Sequence, residues 1–252
     1  MTWSAIRGQR LAVALLRRAV AGGRVAHAYL FAGPPGVGKR LAAAELARSL
    51  NCLASEAGEA CGACRSCLKL AADPPVHPDV IVVEPDGRLI KTEQMRRVQN
   101  EVYARPTEGR FKVVIIDGAE RMNAESGNRL LKVLEEPPAY ARFVLLTTNA
   151  AGVLPTIVSR CQIVHFSPLP PEEVAAVLQE KAGIGAEEAC LFASLSGGSV
   201  GAALAMAASP EVGRRRDEAF DLLLGLGEMD DAALLEQAAA WEKEKELLEE
   251  RL

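Results

Sequence analysis

The sequence contains few aromatic residues and lacks long apolar segments. Only 4% of its 252 residues are Phe, Trp or Tyr. No apolar run approaches the roughly 18 residues that a membrane-spanning helix needs, so we expect no membrane association. The segment Met1 to Arg10 also lacks the apolar centre of a signal peptide. Together these absences predict a cytoplasmic protein.

An excess of positive charge is absent as well. The chain has 29 Lys+Arg and 33 Asp+Glu, which gives a formal net charge of -4 at pH 7. A domain that binds nucleic acid unaided usually carries a clear positive excess, so any such contact is expected to be local or shared with a partner. With 49% hydrophobic residues, the composition favours a globular chain over a disordered or fibrous one.

Five short apolar runs, separated by helix-length segments, indicate the fold class. Continuous runs of this length are typical of buried parallel strands, so the pattern predicts an α/β fold with a parallel sheet and crossover helices. Thr92 is expected to cap the crossover helix that follows the second strand. The predicted strands are Ala28 to Ala32, Val80 to Val83, Val113 to Ile116, Phe143 to Leu146 and Ile163 to Phe166.

The same pattern divides the chain into three parts. Residues 1–167 form the predicted α/β domain. After Pro168-Leu-Pro-Pro171 the strand-like runs disappear, and three helical patterns over 168–208 predict a small all-helical domain. Residues 209–252 contain further amphipathic patterns, which predict the beginning of another helical domain.

The clearest motif is a glycine-rich segment between the first predicted strand and the next helix. Gly33-Pro-Pro-Gly-Val-Gly-Lys39 satisfies the pattern G-x-x-x-x-G-K. Its glycines let backbone N–H groups turn towards phosphate oxygens, and the lysine adds a point charge. Asp117, at the end of the third predicted strand, fits the carboxylate that helps hold Mg²⁺. The predicted nucleotide-binding residues are Gly33, Gly36, Gly38, Lys39 and Asp117.

Two groups that ATP hydrolysis needs are missing from this predicted site. Arg40 occupies the position of the Ser or Thr hydroxyl that coordinates Mg²⁺, and Gly118 stands where a water-polarising Glu is usual. Glu120 and Glu125 lie nearby, but a helix starting here should direct both away from Asp117, as charges of its first turn. Because phosphoryl transfer depends on positioned charge, we expect no intrinsic ATPase activity. Catalysis by Glu120 stays open.

A cluster of cysteines predicts a metal site. One short segment, after the helix that follows the glycine-rich loop (the P-loop), contains Cys52, Cys61, Cys64 and Cys67. Four thiolates suit tetrahedral Zn²⁺, and because no coordination position is left for a substrate the ion would be structural. We therefore predict a zinc-binding module at 52–67. Free thiols and an iron-sulfur cluster are the alternatives.

Several motifs, in this order, resemble the clamp-loader AAA+ family, and the similarity covers about Gly8 to Ala208. The resemblance implies an AAA+ P-loop domain with the zinc module inserted, then a lid domain over 168–208 and part of a helical collar domain over 209–252. The motifs are Lys112-Val-Val-Ile-Ile-Asp117, Asn128-Arg-Leu-Leu-Lys-Val-Leu-Glu-Glu-Pro-Pro138, Phe143-Val-Leu-Leu-Thr-Thr-Asn149 and Ser159-Arg160-Cys161.

The resemblance also implies roles for particular residues. In this family the Arg of the Ser-Arg-Cys motif is an arginine finger that reaches the ATP site of a neighbouring subunit, which implies that role for Arg160. His77-Pro78-Asp79-Val80 resembles delta-prime subunits, and so does the loss of ATPase residues at Arg40, Gly118 and Gly201. Gamma/tau motor subunits carry a sensor-2 arginine at the last of these positions. The implied protein is a stator-like subunit that can bind ATP or ADP without hydrolysing it.

The implied setting is the DNA polymerase III clamp loader. Such a subunit is expected to form a hetero-pentamer with gamma/tau motor subunits and a delta subunit, which loads a sliding clamp onto primer-template DNA in replication. The chain stops at Leu252, within the expected collar domain. A shortened sequence and a short natural collar are both compatible with that end.

Two other functions stay open. The intact Gly38-Lys39 and Asp117 are compatible with an active clamp-loader ATPase of the gamma/tau motor type. The cysteine cluster by itself is compatible with a zinc-bearing nucleic-acid binder, which would show tight and salt-sensitive DNA affinity in isolation. The net negative charge disfavours this last alternative.

Overall fold

The computed structural model describes residues 3–55, 57–72 and 75–209. The chain divides into two compact units, Met1–Leu204 and Ala205–Leu252. The sequence-based prediction of a partial collar over 209–252 lies, apart from its first residue, outside the described residues. The predicted boundaries after 167 and 208 stay predictions.

The described helices and strands alternate as the apolar runs predicted. The strands are β1 (Ala28–Ala32), β2 (Val80–Val83), β3 (Lys112–Asp117), β4 (Ala141–Thr147) and β5 (Gln162–His165). The helices are α1 (Arg10–Ala21), α2 (Lys39–Asn51), α3 (Arg65–Lys69), α4 (Thr92–Val102), α5 (Ala124–Glu135), α6 (Pro155–Val158), α7 (Pro171–Ala182), α8 (Ala186–Leu195) and α9 (Val200–Ala208).

The strands form one parallel sheet in the order β2-β3-β4-β1-β5. Strand β1, which lies between β4 and β5, is buried at all five positions, and its Leu30 lies opposite Leu145 and Ile163 of those strands. A strand covered by helices on both faces has no water-facing side, which is why it reads as a continuous apolar run. The predicted α/β class with a parallel sheet is confirmed.

The two faces of the sheet hold separate parts of the core because successive side chains of a strand point in opposite directions. On one face, Leu30 and Phe143 belong to a buried cluster that includes Met95 of α4 and Leu130 of α5. Phe31 alternates with Leu30, and its ring lies 5.1 Å from the ring of Phe166. Because the strands are parallel, the carboxyl ends of β1, β2 and β3 lie at one edge of the sheet.

Helix α4 begins one residue earlier than the sequence predicted. Thr92 was expected to be the cap, but it is the first helical residue, and Lys91 occupies the cap position with extended backbone angles. The side-chain oxygen of Gln94 accepts a hydrogen bond of 2.8 Å from the backbone N–H of Lys91. This bond satisfies an N–H at the helix start and replaces the expected threonine cap.

A buried carboxylate anchors the loop that precedes β3. Asp79 is fully buried, and its two oxygens accept hydrogen bonds of 2.7–2.8 Å from the backbone N–H groups of Thr107, Glu108 and Gly109. Lys112 Nζ lies 3.7 Å from Asp79 Oδ1. Burial opposes ionisation, but the three N–H donors and Lys112 hold the pKa of Asp79 below its ordinary value.

We expect Asp79→Asn to lower the free energy of unfolding by about 1–3 kcal/mol, because an amide nitrogen cannot accept from a buried N–H. The folded-state pKa of Asp79 is lowered, so its stabilising effect is present above the unfolded-state pKa and is lost as the pH falls through the folded-state value. Urea unfolding at neutral and acid pH measures both effects. Asp86→Asn, at an exposed aspartate, is the control, and equal stability of the two variants would contradict the prediction.

Candidate nucleotide site and cysteine cluster

The predicted P-loop connects β1 to α2. Gly36 has a φ of +71° and Gly38 a φ of +100°, which are left-handed conformations that favour glycine. A Cβ on Gly36 would lie 2.2 Å from Ser199 Oγ, so this residue also has no space for a side chain. The loop is therefore held in one shape both by its own backbone and by the segment before α9.

Lys39 is the first residue of α2 and turns back into the loop. Its Nζ donates hydrogen bonds of 2.5 Å to the carbonyl oxygens of Gly33 and Pro34. The side chain is buried, and burial lowers the pKa of Lys39, although Asp117 and Glu120 act in the opposite direction. The ammonium group is thus placed inside the loop, where a bound phosphate could replace the two carbonyls as its partner.

A cavity of about 770 Å³ opens beside the P-loop. It brings together Gly36, Gly38, Lys39 and Asp117 from the predicted site, and Gly33 lies at the start of the loop with its carbonyl bonded to Lys39. Several other polar side chains of the cavity were not assigned to a site from the sequence, because they come from distant segments. They include Arg7, Glu84, Thr148 and Glu180.

Arg40 lies between two carboxylates at the edge of the sheet. Its guanidinium forms an ion pair with Glu84, directly after β2, and its Nη1 lies 3.6 Å from Oδ2 of Asp117, the last residue of β3. Burial raises the pKa of Asp117, and Arg40 opposes that rise. The residue that replaces the metal-binding hydroxyl thus places a positive charge beside the predicted metal-binding carboxylate.

Glu120 does not point away from the site as the sequence suggested. Gly118 adopts a left-handed conformation with φ +76°, and Ala119–Arg121 forms a 3-10 turn before α5 begins. This turn places Glu120 in the cavity, where its Oε1 accepts hydrogen bonds from the hydroxyl of Thr148 at 2.6 Å and from its N–H at 3.2 Å. Glu125 remains in the exposed first turn of α5. The two glutamates therefore differ in environment.

The start of α9 packs directly against the P-loop. The N–H of Gly201 donates a hydrogen bond of 3.1 Å to the carbonyl of Gly36. A Cβ on Gly201 would lie 3.0 Å from the Cα of Gly36. Any larger residue at this position, including arginine, would require the loop or the helix to shift.

The four clustered cysteines converge on one point. Their sulfur atoms all lie within 4.8 Å of one another, and the pairs Cys52–Cys64 and Cys61–Cys67 are separated by 4.0 Å. Tetrahedral Zn²⁺ with sulfurs at about 2.3 Å requires sulfur-sulfur distances of about 3.8 Å. The cluster therefore fits a structural zinc ion, and among the described residues it is the group identified as able to hold a metal.

Backbone groups favour the thiolate form of two of these ligands, Cys61 and Cys64, whose pKa values are lowered. N–H groups of Cys61 and Cys64 point at the sulfurs of Cys52 and Cys61, at 3.2 and 3.3 Å. Burial disfavours the Cys64 thiolate, but hydrogen bonds from the N–H groups of Leu53 and Cys67 lower the pKa of Cys64 to about 6. Such donors stabilise negative sulfur, which is the form that binds metal.

Polar contacts connect the cysteine module to the rest of the domain. Ser66 of α3 lies 3.1 Å from Nε2 of the buried His77, whose Nδ1 accepts from the N–H of Asp79. Lys69 Nζ lies 2.6 Å from Glu108. His77, which the sequence offered only as part of a motif, thus connects α3 to the loop held by Asp79.

Arg160 lies at the surface after α6, bound to its own chain. Its guanidinium donates to Glu135 Oε1 at 2.8 Å and to the carbonyl of Thr156 at 3.0 Å, and 35% of the side chain is exposed. The adjacent Cys161 packs against the core, where burial raises the pKa of its thiol to about 12. Arg160 is therefore accessible, but an outside anion would have to compete with Glu135.

Comparisons with known proteins relate this chain to subunits of DNA polymerase III. A family model described as "DNA polymerase III, delta subunit" matches residues 8–170. DNA polymerase III subunit delta' of Bacillus subtilis (strain 168) is 41% identical over 167 residues, 66% of this chain and 50% of that protein. DNA polymerase III subunit tau of Escherichia coli (strain K12) is 36% identical over 178 residues, 71% of this chain and 27% of that protein. This chain therefore spans half or less of the length of these two relatives.

A solved structure shares the fold. The RuvB Holliday junction branch migration motor of Thermotoga maritima matches with a TM-score of 0.54 at 20% identity, covering 79% of this chain and 60% of that chain. Within the described residues, no helix is both long and apolar enough to cross a bilayer.

The parallel sheet, the P-loop and this structural likeness define a P-loop protein of the AAA+ class. Because the family model matches more than half of its residues, the chain belongs to the DNA polymerase III delta subunit family. The resemblance to clamp-loader subunits is thereby confirmed.

We expect the purified chain to contain one Zn²⁺, because the four sulfurs satisfy tetrahedral coordination. Cys67→Ser should lose the ion and unfold at a lower temperature, since metal binding supplies folding free energy to a segment with little apolar core. Elemental analysis and thermal unfolding measure the two effects. Cys190→Ser, at an exposed thiol of α8, is the control. Iron in place of zinc, or full zinc content in Cys67→Ser, would contradict the prediction.

Proposed function

We propose that this chain is a non-hydrolysing, stator-like subunit of a DNA polymerase III clamp loader. Its P-loop site would bind ATP or ADP without turnover, and Arg160 would act as an arginine finger towards a neighbouring motor subunit. The observation that carries the proposal is the ion pairing of Arg40 with Asp117 and Glu84, because it places a cation where hydrolysis requires a coordinated metal.

Three local features support the absence of hydrolysis. The hydroxyl ligand after Lys39 is replaced by Arg40, and the position after Asp117 holds Gly118 in place of a water-polarising carboxylate. Gly201 leaves the start of α9 without an arginine that could contact a γ-phosphate, and its backbone packs on the loop instead. Phosphoryl transfer depends on such positioned charges, so their combined loss should abolish most of the rate.

The role of Arg160 rests on its surface position and on the family relationship. A guanidinium suits bidentate binding of phosphate oxygens, and the side chain is partly exposed at the end of α6. In the isolated chain Glu135 holds it at 2.8 Å. Assembly would bring a neighbour's nucleotide into competition with Glu135 for the same nitrogen atoms.

The partners and the domain layout belong to the same proposal. The chain would assemble with gamma/tau motor subunits and a delta subunit, and the assembly would open a sliding clamp at primer-template DNA. Residues 1–167 would be the AAA+ domain, 168–208 the lid and 209–252 part of the collar that holds the ring together. The subunit names of its relatives support this composition.

An active motor subunit of the gamma/tau type is the second candidate. The position of Glu120 favours it, since this carboxylate lies in the cavity and is hydrogen-bonded to Thr148. A carboxylate there could polarise a water molecule in place of the missing residue after Asp117. Phosphate release by the isolated chain, lost in both Lys39→Ala and Glu120→Gln, would support this candidate over the first.

We expect Arg160→Ala to reduce the ATPase activity of a reconstituted assembly by about tenfold or more, because arginine fingers contribute about 10³–10⁵ in related enzymes. The assembly is reconstituted from this chain with gamma/tau and delta subunits, and phosphate release is measured in the presence of clamp and primed DNA. Size-exclusion chromatography checks that the variant still assembles.

Two variants make this experiment specific. Arg88→Ala removes another exposed arginine and should leave the activity unchanged. Glu135→Gln releases Arg160 from its own chain and should keep the activity or raise it. Equal stimulation by wild type and Arg160→Ala would reject the arginine-finger role.

A further inference from the structure

We propose that Arg40 is a built-in replacement for the divalent cation of the P-loop site, so that this chain binds nucleoside di- or triphosphates without Mg²⁺. The inference deepens the proposed function and rests on its nucleotide-binding part. It concerns the chemistry of the bound phosphates, and it is independent of the role proposed for Arg160.

The location of the guanidinium is the first argument. Glu84 follows β2, Asp117 ends β3, and these parallel strands are neighbours, so both carboxylates emerge at the same edge of the sheet. Two adjacent carboxylates beside a phosphate-binding loop would ordinarily attract a divalent cation. Arg40 already bridges them, with Nη1 in an ion pair with Glu84 and 3.6 Å from Asp117 Oδ2.

The donor set is the second argument, since it does not fit Mg²⁺. Octahedral Mg²⁺ in P-loop proteins takes a hydroxyl oxygen from the residue after the lysine and is supported by the strand carboxylate. Here that residue offers five N–H donors and no acceptor. A metal ion next to Asp117 would also lie beside the positive charge of Arg40, which makes its binding less favourable.

The positive charge of the cavity is available to an anionic ligand. Lys39 and Arg40 are consecutive at the start of α2 and both line the cavity, which therefore has two side-chain cations beside a helix N-terminus. A guanidinium forms bidentate bonds with phosphate oxygens. Phosphate could therefore take Arg40 in part from Asp117, as it takes Lys39 from the carbonyls of Gly33 and Pro34.

The test measures nucleotide affinity and metal affinity separately on the full chain. Titration calorimetry with ATP and with ADP is performed in buffer freed of divalent ions by chelating resin, and again with added Mg²⁺. The zinc content is checked before and after. We expect the wild-type dissociation constant to change by less than about threefold between the two buffers, because a charged hydrogen-bond donor already neutralises the phosphates.

The informative variant is Arg40→Ser, which restores the hydroxyl and removes the guanidinium. In metal-free buffer we expect its affinity for nucleotide to fall by about tenfold to a hundredfold, the size of a lost charge-assisted hydrogen bond, and added Mg²⁺ should recover it. The variant should also bind Mn²⁺ alone, detected by electron paramagnetic resonance, whereas the wild type should not.

Three further variants test the assignment. Arg40→Lys retains a cation and should keep metal-independent binding, while Lys39→Ala should abolish binding in both buffers. Arg18→Ser, at an exposed position of α1, should match the wild type. Circular dichroism confirms that each variant is folded, which is expected for Arg40→Ser because the side chain is 44% exposed.

Each contrary result overturns the inference. These results are a wild type that needs Mg²⁺, a wild type that binds no nucleotide in either buffer, and an Arg40→Ser variant that binds equally well with and without the metal. None of them changes the expected loss of ATPase activity in Arg160→Ala, so failure of this inference and failure of the arginine-finger role are distinguishable.

Discussion

The ion pair network of Arg40 with Glu84 and Asp117 is the interaction on which the character of this P-loop site depends. Everything around it retains the form of a nucleotide-binding site: the glycines have the required backbone angles, Lys39 lies inside the loop, and a cavity of about 770 Å³ is open beside it. The guanidinium of Arg40, at the carboxyl ends of β2 and β3, adds a positive charge to the site. In the function that we propose, the fold keeps the geometry for holding phosphate while the chemistry for cleaving it is weakened.

A second constraint connects regions that are remote in sequence. Ser199 and Gly201, before and in α9, pack on Gly36 so closely that neither the loop nor the helix has space for a larger side chain at the contact. Asp79 and His77 similarly connect the cysteine module to the loop before β3. Most of these buried polar contacts have a backbone group as one partner. Close packing of this kind suits the stator-like role that we propose.

Arg160 presents the opposite situation, because its partners are few and lie at the surface. An exposed ion pair such as Arg160–Glu135 contributes little to stability, since solvent screens both charges. The guanidinium can therefore exchange Glu135 for a phosphate at little cost. Pairing with Glu135 in the isolated chain is therefore compatible with the proposed role of Arg160 towards a neighbouring subunit.

The sequence by itself determined the sheet, the P-loop and the cysteine cluster, because each depends on local spacing: apolar runs for buried strands, glycines for positive φ, and thiols for a shared metal. It located the start of α4 one residue late and directed Glu120 away from the site, since caps and 3-10 turns depend on competing local hydrogen bonds. Only the tertiary structure brought Glu84 and Asp117 together around Arg40 and placed Gly201 against Gly36. Those contacts join segments that are far apart in the chain, and their distances follow from strand order and helix packing, which no local pattern encodes.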